Sequence, residues 1–256
     1  MTPFVMETWA QLRRWLIRLG REPFNLTFAL MQPLLIFVFF GSSFEGVVPR
    51  EIAGMSYRAF LLGGMLALTV FGNSMSGGIS LLFDKEGGFL TRCLVAPVSR
   101  TSIFVARFLA VNIVSAIQMV LMILLARLFG VQIASGFAGV GVMLGIGWLL
   151  GFGVTVLSLC LVFTLRGHAD FFALVGTITL PITFLSTAFA PLDRMPTWMK
   201  VIAGANPMSY AVDGMRSLIL SPALQLDAIA GTALILLGFD AVMLVLGVRV
   251  LRRHMA

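Results

Sequence analysis

The sequence predicts an all-α membrane protein. It has six transmembrane helices, an N-terminal amphipathic interfacial helix, a short helix in a cytoplasmic loop, and short external helices between spans five and six. Three observations predict it. Of 256 residues, 59% are hydrophobic and only 11% charged, where a soluble domain carries about 25% charged. Mean hydropathy is +1.01, too apolar for one water-soluble core. The basic residues behind the net charge of +7 fall between apolar runs rather than in one basic domain, which is membrane topology rather than a nucleic-acid surface.

The first 22 residues are too polar to span. Glu7, Gln11, Arg14, Arg18 and Arg21 recur at spacings of three and four, and Val5, Trp9, Leu12, Leu16 and Leu19 recur on the other side. That period makes an amphipathic helix, and a basic one lies in the membrane interface with its Trp at headgroup level. The charges Glu7, Arg13, Arg14 and Arg18 argue against a cleavable signal peptide here.

A spanning helix needs about 20 apolar residues. Six segments qualify: 24–40, 59–82, 103–129, 139–165, 171–190 and 229–248. An even number places both termini on one side. With the termini inside, twelve Lys and Arg face the cytoplasm and six face outward, the bias the positive-inside rule asks for. Segment 84–100 is then cytoplasmic. Segment 191–228 is external, too broken by Pro and Gly to span, and predicted as short helices dipping into the outer leaflet. One of them begins at Pro207, after Asn206. The whole chain, 1–256, reads as one transmembrane domain.

Inside the spans, Thr69, Asn73, Ser76 and Ser80 share one face of span two. Gly176, Thr179, Thr183 and Ser186 do so in span five, and Asn112, Ser115 and Gln118 lie close to one face of span three. Two readings stand for such stripes: helix packing, or a polar-lined path, for which Thr69, Asn73, Ser76, Thr179, Thr183 and Ser186 are the candidates. Gly141, Gly145, Gly147 and Gly151 in span four read as packing. Asp240 is the one acid within a span, a functional candidate by default. Its structural reading is a pair with a neighbouring helix, Arg107 among the partners. Its functional reading is a proton carrier.

No ATPase is encoded. The phosphate-binding loop needs Gly-Lys-Ser or Gly-Lys-Thr, and the two lysines, Lys85 and Lys200, follow Asp84 and Met199. Neither a nucleophile elbow nor an HExxH motif occurs. Cys93, Cys160, His168 and His254 lie apart, without metal-binding spacing.

Motifs in order then carry a resemblance over nearly the whole chain. They are Gln32-Pro33-Leu34; Glu86, Gly88, Arg92, Pro97, Ser99 and Arg100; Pro181, Phe184, Leu185, Ser186, Phe189, Pro191, Pro196 and Trp198; and Asn206, Pro207, Tyr210, Asp213 and Arg216. The chain resembles a membrane subunit of the type 2 ATP-binding-cassette exporters, nearest to the drug-resistance permeases of daunorubicin type. Thr187 stands where that family commonly has Gly, and Gly87 where it commonly has a basic residue.

The resemblance implies two permease copies, alike or different, and two cytoplasmic ATPase subunits that carry ATP and Mg. No cofactor is expected on this chain. Residues 84–100 would form a coupling helix docked on the ATPase, through Glu86, Gly88, Phe89, Leu90, Arg92, Leu94, Pro97 and Arg100. The residues agree with that helix: Gly87-Gly88 permit a turn, Phe89, Leu90, Cys93 and Leu94 form an apolar face, and Pro97 stops the helix. The other reading of this segment is a solvated connector. The expectation is a permease in a prokaryotic-type inner membrane, exporting a drug, lipid or lipid-linked molecule. Its rivals are a proton-coupled secondary transporter using Asp240 and a membrane scaffold that transports nothing.

Overall fold

The computed structural model describes residues 3–21, 23–44, 56–88 and 99–255. Among them there are only helices and turns. Helices α1 (Pro3–Arg21) and α2 (Pro23–Phe44) are followed by α3 (Tyr57–Ser76), α4 (Ile79–Glu86) and α5 (Arg100–Leu128). Next come α6 (Gly136–Thr164) and α7 (His168–Phe184), and a 3-10 turn, Leu192–Arg194. The last three are α8 (Thr197–Ala205), α9 (Pro207–Leu220) and α10 (Leu226–Met255). Helices satisfy their own backbone polar groups, which lipid demands.

Each predicted apolar segment contains a helix, but the fifth, 171–190, is helical only as far as Phe184. Four helical stretches are long and apolar enough to cross a membrane: Tyr57–Glu86, Thr101–Leu128, Gly136–Thr164 and Leu226–Val250. Two more, Leu30–Phe44 and His168–Phe184, are apolar but shorter.

Helix α3 is the centre of the domain. It touches α2, α5, α6 and α9, and α6 in turn lies along α10. The core joins Leu62, Met65 and Leu66 of α3 to Met119 and Met122 of α5, Met143 and Leu150 of α6, and Met208 and Met215 of α9. Glycine sets two of these approaches. A Cβ on Gly64 would lie 2.4 Å from the Ala188 carbonyl oxygen, and one on Gly147 would lie 2.7 Å from Met119 Sδ. The four glycines singled out in span four, Gly141, Gly145, Gly147 and Gly151, divide. Gly147 and Gly151 face α3 and α5, whereas Gly141 and Gly145 meet open space, so only the second pair packs within the subunit.

The predicted span 59–82 is interrupted at Gly77-Gly78, between α3 and α4. A side chain entering the hydrogen-bond ladder is a recognised cause of such a break, and here it is Ser158 of α6. Its hydroxyl donates to Met75 O (2.6 Å) and accepts from Gly78 N (2.9 Å). Arg107 Nε donates to Gly77 O (2.6 Å). Both partners come from other helices, so span two alone did not reveal the break.

Helix α1 differs from the expectation in which residues it buries. Leu12 and Trp15 pack on Ala106 and Ala110 of α5, while Val5 and Trp9 are exposed. One turn of its apolar surface meets protein, and the rest is left outward.

Candidate functional site

One site, at the base of loop 84–100, is built on three consecutive residues at the end of α4. Asp84 accepts from Arg14 Nη2 of α1 at 2.6 Å. Lys85 Nζ donates to Val162 O of α6 at 2.8 Å, with its ammonium 5.7 Å from the centre of the Phe163 ring. Glu86 Oε1 accepts from the backbone N–H of His168 at 2.9 Å, and His168 Nδ1 is 3.1 Å from both carboxylate oxygens. His168 opens α7, so Glu86 caps that helix from another one, where an anion is favourable. Asp84, Lys85 and Glu86 thus grip α1, α6 and α7 in turn.

Gly87 and Gly88 follow as a turn, and Gly88 has φ +71°, a conformation that favours glycine. Phe89, Leu90, Arg92, Cys93, Leu94 and Pro97 lie outside the described residues. The chain re-enters at Ser99, whose N–H donates to Glu7 Oε2 of α1 (2.9 Å), and Arg100 starts α5. Helix α1 therefore holds both ends of the loop.

A second site, in segment 191–228, is built on α9. Asn206 is its N-cap, with Oδ1 accepting from Met208 N (3.0 Å), and Pro207 takes the first helical position. Asn206 Nδ2 donates to Ile182 O (2.8 Å) and Leu185 O (3.1 Å), groups released where α7 ends. Tyr210 Oη donates to Gly204 O of α8 (2.7 Å).

Arg216 is buried and reaches three elements. Nη2 donates to Thr187 O (2.7 Å), Nε to Phe60 O (3.4 Å) and Nη1 to Asp213 Oδ1 (2.9 Å). Its guanidinium carbon is 3.6 Å from the centre of the Phe60 ring. Burial pulls Arg216 down to about 10, partly offset by Asp213, so it stays cationic at neutral pH. Thr187 Oγ1 donates to Ser209 O (3.2 Å). The threonine that departs from the common glycine is thus tied to α9 by both its hydroxyl and its carbonyl.

The sequence model of a family described as the ABC-2 type transporter matches residues 6–220. The chain belongs to the ABC-2 type transporter family. A putative transport permease, ycf38, of Porphyra purpurea is 38% identical, over 83% of this chain and 73% of its own. A probable doxorubicin resistance ABC transporter permease, DrrC, of Mycobacterium tuberculosis is 26% identical, over 83% of this chain and 76% of its own. A daunorubicin resistance ABC transporter permease, DrrB1, of Streptomyces coeruleorubidus is 26% identical, over 84% and 75%.

In this ABC-2 permease the polar stripes of spans two and three face each other. Asn73 Nδ2 donates to Ser115 Oγ (3.3 Å) and to Gln118 Oε1. Thr69 is buried and bonds its own helix at Met65 O, whereas Ser76 is exposed. In α7, Thr183 Oγ1 donates to Thr179 O, and Ser186 Oγ to Thr183 O.

Asp240 does not pair with Arg107. Arg107 is bonded to Gly77 at the break in span two, while Asp240 abuts Gly153, where a Cβ would come within 2.6 Å of its Oδ1. That oxygen is buried with no hydrogen-bond partner among the described residues. Nothing in the sequence singles out Trp15 or Ser158, and His168 stands out there only as a histidine without metal-binding spacing. The ladder positions of Arg14, Arg18 and Arg107 were visible, but nothing local ties them to one indole ring.

Proposed function

We propose that this chain is the permease subunit of an ATP-driven exporter. It moves an amphipathic drug, lipid or lipid-linked molecule out of the cytoplasm or inner leaflet. ATP and Mg are bound and hydrolysed on a separate subunit, and a second permease copy completes the membrane domain. All six apolar segments span, α2 and α7 included, with both termini cytoplasmic in a prokaryotic-type inner membrane. Loop 84–100 meets the ATPase through Glu86, Gly88, Phe89, Leu90, Arg92, Leu94, Pro97 and Arg100.

The family match carries this reading, and the stem at Asp84–Glu86 supports it. A loop that only joined two spans has no need of bonds to α1, α6 and α7 at its base. On this stem, a push on the loop reaches three helices at once. Two relatives are named for resistance to doxorubicin and daunorubicin, which favours outward transport of an amphipathic molecule. The external motif of Asn206, Pro207, Tyr210, Asp213 and Arg216 holds α9 against α3 and the end of α7. Thr69 and Asn73 belong to packing in this reading. Ser76, Thr179, Thr183 and Ser186 remain the path residues.

The test is reconstitution. The purified chain alone hydrolyses no ATP. With its partner ATPase in proteoliposomes, an anthracycline or a fluorescent phospholipid moves only when Mg-ATP is supplied. Turnover by the chain alone, or movement driven by a proton gradient without ATP, refutes the proposal. The unpaired Oδ1 of Asp240 is the observation that favours the proton-coupled reading, and the second outcome would establish it.

A further inference from the structure

Buried polar side chains gather where α3, α5 and α6 pack together: Ser74, Asn112, Ser115, Gln118, Thr155 and Ser158. Some are tied in. Ser115 donates to Val111 O and accepts from Asn73, Gln118 Oε1 accepts from Asn73, and Ser158 bonds Met75 and Gly78. Two are not. Ser74 and Thr155 are 0% exposed, and neither hydroxyl has a hydrogen-bond partner among the described residues. The usual outlet for a hydroxyl in these helices is the carbonyl four residues back, which Thr69, Ser115, Thr164 and Thr183 all use. Ser74 and Thr155 do not take it.

Gly151 brings these groups to one place. A Cβ there would run into Asn112 Oδ1 and lie 3.3 Å from Ser74 Oγ, so both oxygens border the same bare stretch of α6. Thr155 follows one turn along α6, and Gly151, Thr155 and Ser158 fall on one face of that helix. Asn112 uses one amide hydrogen on Phe108 O, and a side-chain amide has a second hydrogen and an acceptor oxygen besides. A buried hydroxyl without a partner is costly.

We propose that a water molecule is bound between α3, α5 and α6, held by Ser74 Oγ, Thr155 Oγ1 and the side-chain amide of Asn112. Three partners of mixed donor and acceptor character are what a buried water takes. A cation fits less well. Among the described residues no cluster of His, Cys, Asp or Glu could hold a metal ion, and Asp240 lies against Gly153, on another side of α6 from Gly151. Arg107 is bonded to Gly77, three residues on from Ser74, and its charge repels a cation. Ser74 is one turn from Gly78, so the water and Ser158 hold the same stretch of span two. The inference uses packing within one subunit and is independent of what the permease carries.

The experiment uses the full chain in neutral detergent. Thr155→Val keeps the shape and removes one hydroxyl, and Ser74→Ala removes the other. Were these hydroxyls simply buried among apolar groups, their removal would raise the unfolding temperature. With the water in place, each variant is expected to unfold about 2–4 °C lower, the effect of one hydrogen bond in a chain of this size. The double variant is expected to fall by clearly less than the two shifts combined, because either change alone dislodges the shared water. A hydroxyl that only turned back on its own helix would give shifts that add. A density map that resolves ordered waters should show a peak within hydrogen-bond distance of Ser74 Oγ, Thr155 Oγ1 and Asn112. Replacing sodium chloride by choline chloride should leave the unfolding temperature unchanged. Higher stability of either single variant, additive shifts, or a map without the peak overturns the proposal. Stabilisation by sodium over choline overturns it in favour of a bound cation.

Discussion

Replacing Arg216 by Met tests whether the external segment is held by one buried cation. Arg216 is 8% exposed, and Thr187, whose carbonyl it satisfies, is 1% exposed. Removing the donor leaves that carbonyl without its 2.7 Å partner, which costs about 1–3 kcal/mol. The contact with Phe60 at 3.6 Å is worth about 2 kcal/mol when desolvated. The bond to Asp213 adds little, because that carboxylate is 51% exposed and water takes over its solvation; exposed pairs are worth about 0–1 kcal/mol. Methionine preserves the stem and relieves the desolvation of the charge, which offsets part of the loss. The net cost is about 2–3 kcal/mol, roughly 4–12 °C in unfolding temperature for a chain of this size. Asp213→Asn should shift it by less than about 1 kcal/mol. Thermal unfolding of the detergent-solubilised variants, followed by size-exclusion chromatography, gives both numbers. If Asp213→Asn is as damaging as Arg216→Met, the pair rather than the buried hub holds α9, and the reasoning is wrong. If both fold normally and only transport is lost, the motif is an exit gate.

Gly64→Val should prevent folding or cost more than about 3 kcal/mol, because the new Cβ would lie 2.4 Å from backbone oxygen at Ala188; an expression screen for monodisperse protein decides, and a normal yield refutes the close approach. Leu90→Asp should leave the permease folded but abolish co-purification with its ATPase, since an unpaired charge at an apolar contact costs several kcal/mol; unchanged co-purification and transport would make segment 84–100 a mere connector. Asp240→Asn should retain ATP-dependent transport in proteoliposomes, and dissipating a proton gradient should leave the parent unaffected; a folded but dead variant, with the parent driven by protons, reverses the assignment.

The apolar helices were legible because each is a long run of residues that water disfavours, and four of them are long enough to cross a membrane. Asn206-Pro207 was legible because a cap is local chemistry: a side-chain acceptor, then a residue with no N–H to lose. What lies between helices was not. Gly141 and Gly145 repeat at the same interval as Gly147 and Gly151, yet only the second pair meets α3 and α5. When the solvent is itself apolar, composition no longer separates a face that touches protein from one that touches lipid. Trp9 and Trp15 show the same ambiguity on α1: the first is exposed and the second buried. The Asp240–Arg107 pairing failed for a related reason. Charge complementarity named a partner, but position along the bundle had already bound Arg107 to Gly77.

The hydroxyl of Ser158 changes what the break in span two can do. A gap in a helix ordinarily acts as a hinge, because its loose carbonyl and amide can swing in water. Here both are spliced to α6 by one oxygen, which gives its proton to Met75 and takes one from Gly78. Bending at this point would strand three polar groups in oil, so the joint is welded rather than articulated. Lys85 fastens the same two helices again, one turn further along α6, through Val162. The end of span two that leads into loop 84–100 and the end of α6 beside it are therefore tied as a single lever. A push on that loop would meet a rigid joint here, to be passed along α6 rather than absorbed at the break.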